Sequence, residues 1–195
     1  MGNFTSNVVT TLESWRAFVG YHPEPVSLVT EAVLGRLTPV ERLTYDDERS
    51  DYHAALPALK TPILDRTVTK GLLFMRLNRG QQLGTSCGLV LSGVPGVGKS
   101  TAIRALGRTV DRTYRMRNPQ MTEAVPVIYI TMPTGQHPKA LPSELLYFLG
   151  APHGSRDSET VLTHQACQLM TDLKTSLVLI DEGTVHVAER HGSPA

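Results

Sequence analysis

Little in this sequence is sulfur-bearing, aromatic or charged in excess of one sign. Cysteine occurs only at Cys87 and Cys167, far apart and without metal-ligand spacing. That excludes a disulfide framework or a zinc knuckle as the organising device, and the expected setting is a reducing cytoplasm. Lysine plus arginine number 19 against 18 acids, leaving a formal charge of +1, so no global field by itself demands nucleic acid or a membrane surface. The N-terminus carries no basic-then-apolar leader and no apolar run approaches the length of a membrane span, so no membrane partner is expected. There is one tryptophan, Trp15, no internal repeat and no low-complexity tract.

What is present centres on Gly88 to Thr101, GLVLSGVPGVGKST. It reads as a short apolar strand (Leu89, Val90, Leu91), a glycine-rich turn and a helix start. Gly93, Gly98, Lys99 and Ser100 fill the fixed places of G-x-x-x-x-G-K-[ST], the phosphate-binding loop. Wrapping a phosphate in consecutive backbone N–H groups needs a chain free of Cβ atoms where it bends most sharply. The helix that follows adds unpaired N–H groups and the positive end of its dipole. Gly93, Val94, Pro95, Gly96, Val97, Gly98, Lys99, Ser100 and Thr101 are the candidate nucleotide-binding residues. Lys99 would reach the β- and γ-phosphates, and the Ser100 hydroxyl would be a magnesium ligand.

Ahead of this loop the pattern is helical. Val8, Leu12, Trp15 and Val19 recur at helical spacing within residues 1–20, and Trp15 reads as a core anchor rather than a base-stacking platform. Pro23 and Pro25 break that helix. A second helix is expected over Val26–Leu37, and Thr38-Pro39 looks like the cap and first residue of a third. The acidic run from Tyr45 to Asp51 reads as a solvated helix face. Another helix after Pro62 carries Leu64, Val68, Leu72 and Met75 on one side and ends at Asn78-Arg79-Gly80.

Beyond the loop, Arg104, Arg108 and Arg112 repeat every fourth residue, and a solvated face is preferred there over a stripe that meets DNA phosphate. Val125–Thr131 is β-branched and aromatic enough for a second core strand. A short helix with Pro142 in its first turn ends at Gly150, and Ser158 opens another with Leu162, Ala166, Leu169 and Leu173 inward. Then Leu177-Val178-Leu179-Ile180-Asp181-Glu182 reads as a buried parallel strand with two acids at its C-terminal end, where open α/β sheets bind ligands. Asp181 would hold Mg2+ through its water shell and Glu182 would orient the attacking water. The D-x-x-G of a small GTPase is not met, since Thr184 stands where its glycine belongs. No N-K-x-D guanine-reading motif occurs either, so ATP is expected rather than GTP.

With both motifs placed, the chain resembles the AAA+ ATPases of DNA transposition, the TniB/TnsC family, from about Tyr45 to Glu182. The resemblance rests on DERSDYHAALPALKTPILDR, GLVLSGVPGVGKST, VIYITMPTGQHPKALPSELLYFLGAP and LVLIDE. It implies an α/β fold, a P-loop NTPase parallel sheet with flanking helices. It also implies an ATP-dependent adaptor that assembles as a homo-oligomer on double-stranded DNA and links target choice to a transposase. Under it, Lys99 and Glu182 are catalytic, Ser100 and Asp181 hold Mg2+, Thr131 restrains the catalytic glutamate, and Lys139 contacts DNA phosphate. For Lys139 an ordinary exposed loop lysine is the competing reading.

The expected division is a helical segment over 1–44, a linker and lead-in helix over 45–86, and a partial nucleotide-binding core over 87–195. Relatives follow the acidic pair with a histidine and an apolar residue, where Gly183-Thr184-Val185-His186 stand here. The family's later strands, arginine finger and helical lid have no counterpart before Ala195. The loop-bearing strand would then lack in-chain neighbours, and the expectation is a core incomplete at its C-terminus that hydrolyses ATP poorly alone. Two alternatives stay open: a nucleotide-binding remnant without catalysis, and a regulatory P-loop NTPase unrelated to DNA.

Overall fold

The structure, a computed structural model, describes residues 9–55, 61–80, 86–132, 137–154 and 156–182. Its contacts divide the chain into two compact units, one of Met1–Val19 with Thr61–Ala195 and one of Gly20–Lys60. The expected boundaries at 44/45 and 86/87 therefore do not coincide with these units. The N-terminal helix belongs with the nucleotide-loop region rather than with the residues that follow it in sequence.

In the first unit, α1 (Leu12–Gly20) is opened by a reciprocal Thr11–Ser14 arrangement, in which Ser14 N–H donates to Thr11 Oγ1 and Thr11 N–H donates to Ser14 Oγ. It buries Trp15 completely, and Val19 with it. Trp15 is a core anchor, though not for the helices next to it in sequence as expected: its indole Nε1 donates to Asp111 Oδ2 at 2.9 Å.

In the second unit, α2 is only Glu31–Leu34, shorter than the expected Val26–Leu37. Residues 21–30 have no regular structure, because Pro23 and Pro25 hold the approach extended. The third helix, α3 (Pro39–Ala55), starts where expected and carries the acidic run on an exposed surface.

Back in the first unit, α4 (Pro62–Gly80) packs along α5 (Lys99–Arg117). Val68, Leu72 and Met75 lie against the main core. Strand β1 (Val127–Met132) is followed by α6 (Ala140–Phe148), α7 (Glu159–Asp172) and β2 (Leu177–Glu182). A Schellman motif stops α6, with Gly150 at φ +67° donating to Tyr147 O and Ala151 N–H donating to Leu146 O. Ser158 caps α7 by accepting from Val161 N–H. β1 and β2 pair in parallel, from Val127 opposite Leu177 to Met132 opposite Glu182. α5 packs on both strands, α6 packs on β1, and α7 packs on α6, so residues 127–130 are fully buried, as a parallel strand requires.

Two strand expectations fail. β2 is parallel but not buried throughout, since only Leu179 is buried and Ile180 is 47% exposed on a sheet with no further strand among the described residues. Leu89, Val90 and Leu91 form no strand, and residues 86–94 join no ladder among the described residues, the Cys87 backbone meeting the Asn78 side chain instead. Val90 is 89% exposed. An apolar groove separates this extended stretch from β2, with Phe74, Leu89, Leu91, Ile103, Leu106 and Leu177 among its walls. A ladder needs a neighbour within about 5 Å, and across this groove there is none among the described residues.

Candidate functional site

Glycine builds the site first. Gly96 and Gly98 hold left-handed φ of +81° and +87°, and a Cβ placed on either would meet nothing within 4 Å. The loop bends as a phosphate cradle must, and it is open to solvent. Gly98 is also the N-cap of α5 and makes no side-chain capping bond. The first N–H groups of a helix have no intrahelical acceptor, so those of α5 and the positive end of its dipole are offered at the loop. Gly93 to Val97 are exposed around this opening. Lys99 curls back over it, its Nζ donating to Gly93 O at 2.7 Å and to Val94 O at 3.1 Å. The ammonium therefore stands at the mouth of the loop. Thr101 follows, exposed, in the first turn.

The second half of the site arrives on β2. Ser100 Oγ donates to Asp181 Oδ1 at 3.0 Å, joining residues 81 positions apart. The register places Thr131 level with Asp181 and Met132 level with Glu182. The Glu182 side chain, like residues 183–195, lies outside the described part. So do residues 133–136 of the loop after β1, while Lys139 lies beyond them at the N-cap of α6, exposed, its Nζ donating to Asp157 O at 2.6 Å. The fold thus gathers the loop, Lys99, Ser100, Asp181 and the backbone of Thr131 and Glu182 at one end of the sheet. Among the described residues no group of three or more histidine, cysteine or acidic side chains is set to hold a metal by itself. A cation here would draw on Ser100 and Asp181 together with phosphate oxygens, the usual habit of Mg2+.

One participant was not expected from the sequence. Tyr129, 3% exposed, donates its hydroxyl to Asp181 Oδ2 at 2.6 Å. Burial pushes the Tyr129 hydroxyl far above the ordinary tyrosine value, and the bond to Asp181 adds to this, so it stays protonated and donates. The alternation of Val127-Ile128-Tyr129-Ile130-Thr131 was the available signal, because it sets Tyr129 and Thr131 on one face.

The arginine stripe also takes another role. Instead of forming a solvated face, Arg112 donates through Nε and a terminal nitrogen to Val19 O, at 3.0 and 2.8 Å. Arg108 lies over the Phe18 ring and Arg104 over the Tyr129 ring, with 5.2 and 5.8 Å to the centroids. Arg115 donates to the buried Asp111 at 2.6 Å. Arg104, Arg108 and Arg112 fasten α5 to α1 and β1, whereas the Arg115 pair lies within α5. Burial holds Arg108 below the ordinary arginine value.

A glycine-rich loop feeding a lysine-led helix, joined through Ser100 to an acid-tipped parallel strand, defines the α/β class of P-loop nucleotide-binding proteins. Residues 84–183 match the family model described as an AAA domain, and the chain belongs to that family. Neither the curated proteins nor the solved structures contain a match to the chain. No helix among the described residues is long and apolar enough to cross a membrane.

Proposed function

We propose that this chain binds ATP with Mg2+ on the 93–101 loop, hydrolyses it with the help of Glu182, and does so as a regulator of DNA transposition. The nucleotide reading is carried by the 3.0 Å bond between Ser100 and Asp181, which presents a hydroxyl and a carboxylate to one cation beside the mouth of the loop. The open glycine cradle and the uncapped start of α5 fit a polyphosphate. ATP, when bound, supplies the phosphoanhydride whose cleavage would drive any change of state. Lys99 neutralises phosphate charge, Ser100 and Asp181 hold the cation, and Glu182 orients water. Catalysis by such a site is positioning and electrostatics, so its rate depends on how completely these groups are assembled.

The DNA reading rests on the resemblance of residues 45–182 to the transposition ATPases, above all the stretch from Val127 to Pro152. There Lys139 is the candidate phosphate contact, and double-stranded DNA, a transposase and further copies of the chain are the proposed partners. Binding of fluorescent ATP and GTP analogues with Mg2+ tests the first part. Saturable, ATP-selective binding weakened at least about tenfold by Lys99→Ala is expected, and no binding by the wild-type chain would refute it. Duplex DNA should raise the rate of ATP hydrolysis, and Lys139→Ala should lower that stimulation. A rate indifferent to DNA would favour a P-loop NTPase with another partner.

A further inference from the structure

Asp181 is held from two directions. Ser100 Oγ on α5 occupies Oδ1 at 3.0 Å, and Tyr129 on β1 occupies Oδ2 at 2.6 Å. The register explains the second contact. Tyr129 is level with Leu179 and lies two residues before Thr131, the partner of Asp181, so Tyr129, Thr131, Leu179 and Asp181 share one face of the sheet. On that face the Tyr129 ring stacks on Trp15, with centroids 5.9 Å apart and planes 12° from parallel. A buried phenol needs a hydrogen-bond partner, and the carboxylate meets that need while its own rotation is stopped.

We infer that Tyr129 is the positioning residue of the cation-binding carboxylate, fixing Asp181 Oδ2 so that Oδ1 stays turned toward Ser100. Without the phenol, Asp181 would turn about its χ torsions, and each Mg2+ bound would have to order a carboxylate that Tyr129 now holds in place. The packing also makes the only tryptophan a reporter. Trp15 touches the ring that touches the carboxylate, so a cation arriving at Ser100 and Asp181 should alter its emission. This inference rests on the Mg2+–ATP reading above.

The test compares wild type, Tyr129→Phe, Asp181→Asn and the double variant. In each, the Mg2+ concentration for half-maximal binding is read twice, by a fluorescent ATP analogue and by Trp15 emission. Phenylalanine keeps the ring and its stacking, and thermal unfolding verifies that the fold is retained. Tyr129→Phe should raise the Mg2+ midpoint about tenfold, the loss expected when a hydrogen bond to a charged acceptor is removed. Nucleotide binding without Mg2+ should be unchanged. In the Asp181→Asn background the same substitution should have almost no effect, since its action passes through Asp181. An unchanged midpoint in Tyr129→Phe, or effects of the two substitutions that simply add, would overturn the inference while leaving the nucleotide reading intact. Nucleotide binding indifferent to Mg2+ in the wild type would overturn both.

Discussion

Gly107 shows how little slack surrounds the site at the scale of one residue. A Cβ there would meet Leu179 Cδ1 at 2.5 Å and Trp15 Cη2 at 2.6 Å. Both neighbours are buried, so neither can swing into solvent. Gly107→Ala should cost about 1–3 kcal/mol through overpacking, roughly 2–4 °C of Tm for each kcal/mol in a chain of this size. Gly20, at the end of α1, has nothing within 4 Å of an added Cβ. Gly20→Ala should be neutral or slightly stabilising, by about 0.4–1 kcal/mol, because it restricts the unfolded chain. Thermal melts of the pair check the argument, and equal melting temperatures would contradict it. Residue scale is also where the sequence misleads most. Arg104, Arg108 and Arg112 at fourth-residue spacing look like a charged face in water, yet guanidinium planes lie on rings and a carbonyl as readily as they meet solvent. Spacing does not distinguish the two uses.

Elements are legible where their ends carry their own chemistry. Thr38 and Glu41 form a capping box on α3: Glu41 N–H donates to Thr38 Oγ1 at 3.3 Å, and Thr38 N–H donates to Glu41 Oε2 at 2.8 Å. These bonds from the Thr38 backbone and hydroxyl hold the Glu41 carboxyl below the usual glutamate value. The sign follows from linkage. A depressed carboxyl pKa stabilises the folded helix at pH above the unfolded glutamate's value, and that contribution is lost as pH falls through the folded value. The start of α3 should therefore loosen below about pH 4. An NMR titration of the Glu41 carboxyl should give a midpoint below the ordinary glutamate value, and Thr38→Ala should raise it to that value. A midpoint unmoved by Thr38→Ala would show that the cap plays no part. Strands depend on their neighbours instead. β1 and β2 were readable as apolar runs because each finds the other, whereas Leu89, Val90 and Leu91 have the same composition but no ladder partner among the described residues.

Across the whole molecule, the motifs named residues that the fold gathers at one end of the sheet, but the boundaries of the units could not be read from the chain. Loop, lysine, serine and acid pair were visible because the chemistry of phosphate and cation demands those residue types at those intervals. That Trp15 belongs to the same core was not visible, since its hydrogen-bond partner Asp111 lies 96 positions away and nothing local links them. The consequence can be measured. If residues 1–44 behaved as a separate segment, Trp15→Ala would leave the nucleotide-loop unit unaffected. The contacts require the opposite. Trp15 is fully buried, stacks on Tyr129, and donates, as Arg115 also does, to the buried Asp111. Its loss should cost about 3–5 kcal/mol for the cavity alone, with more for the carboxylate acceptor left short of a donor. Against a total stability on the order of 5–15 kcal/mol, that should remove most of the cooperative transition. Near-UV circular dichroism of the tyrosines and the binding of labelled ATP should then decline together with temperature, because Tyr129 lies between the tryptophan and Asp181. A Trp15→Ala variant that melts at the wild-type temperature and binds nucleotide normally would show that α1 is not part of the machinery.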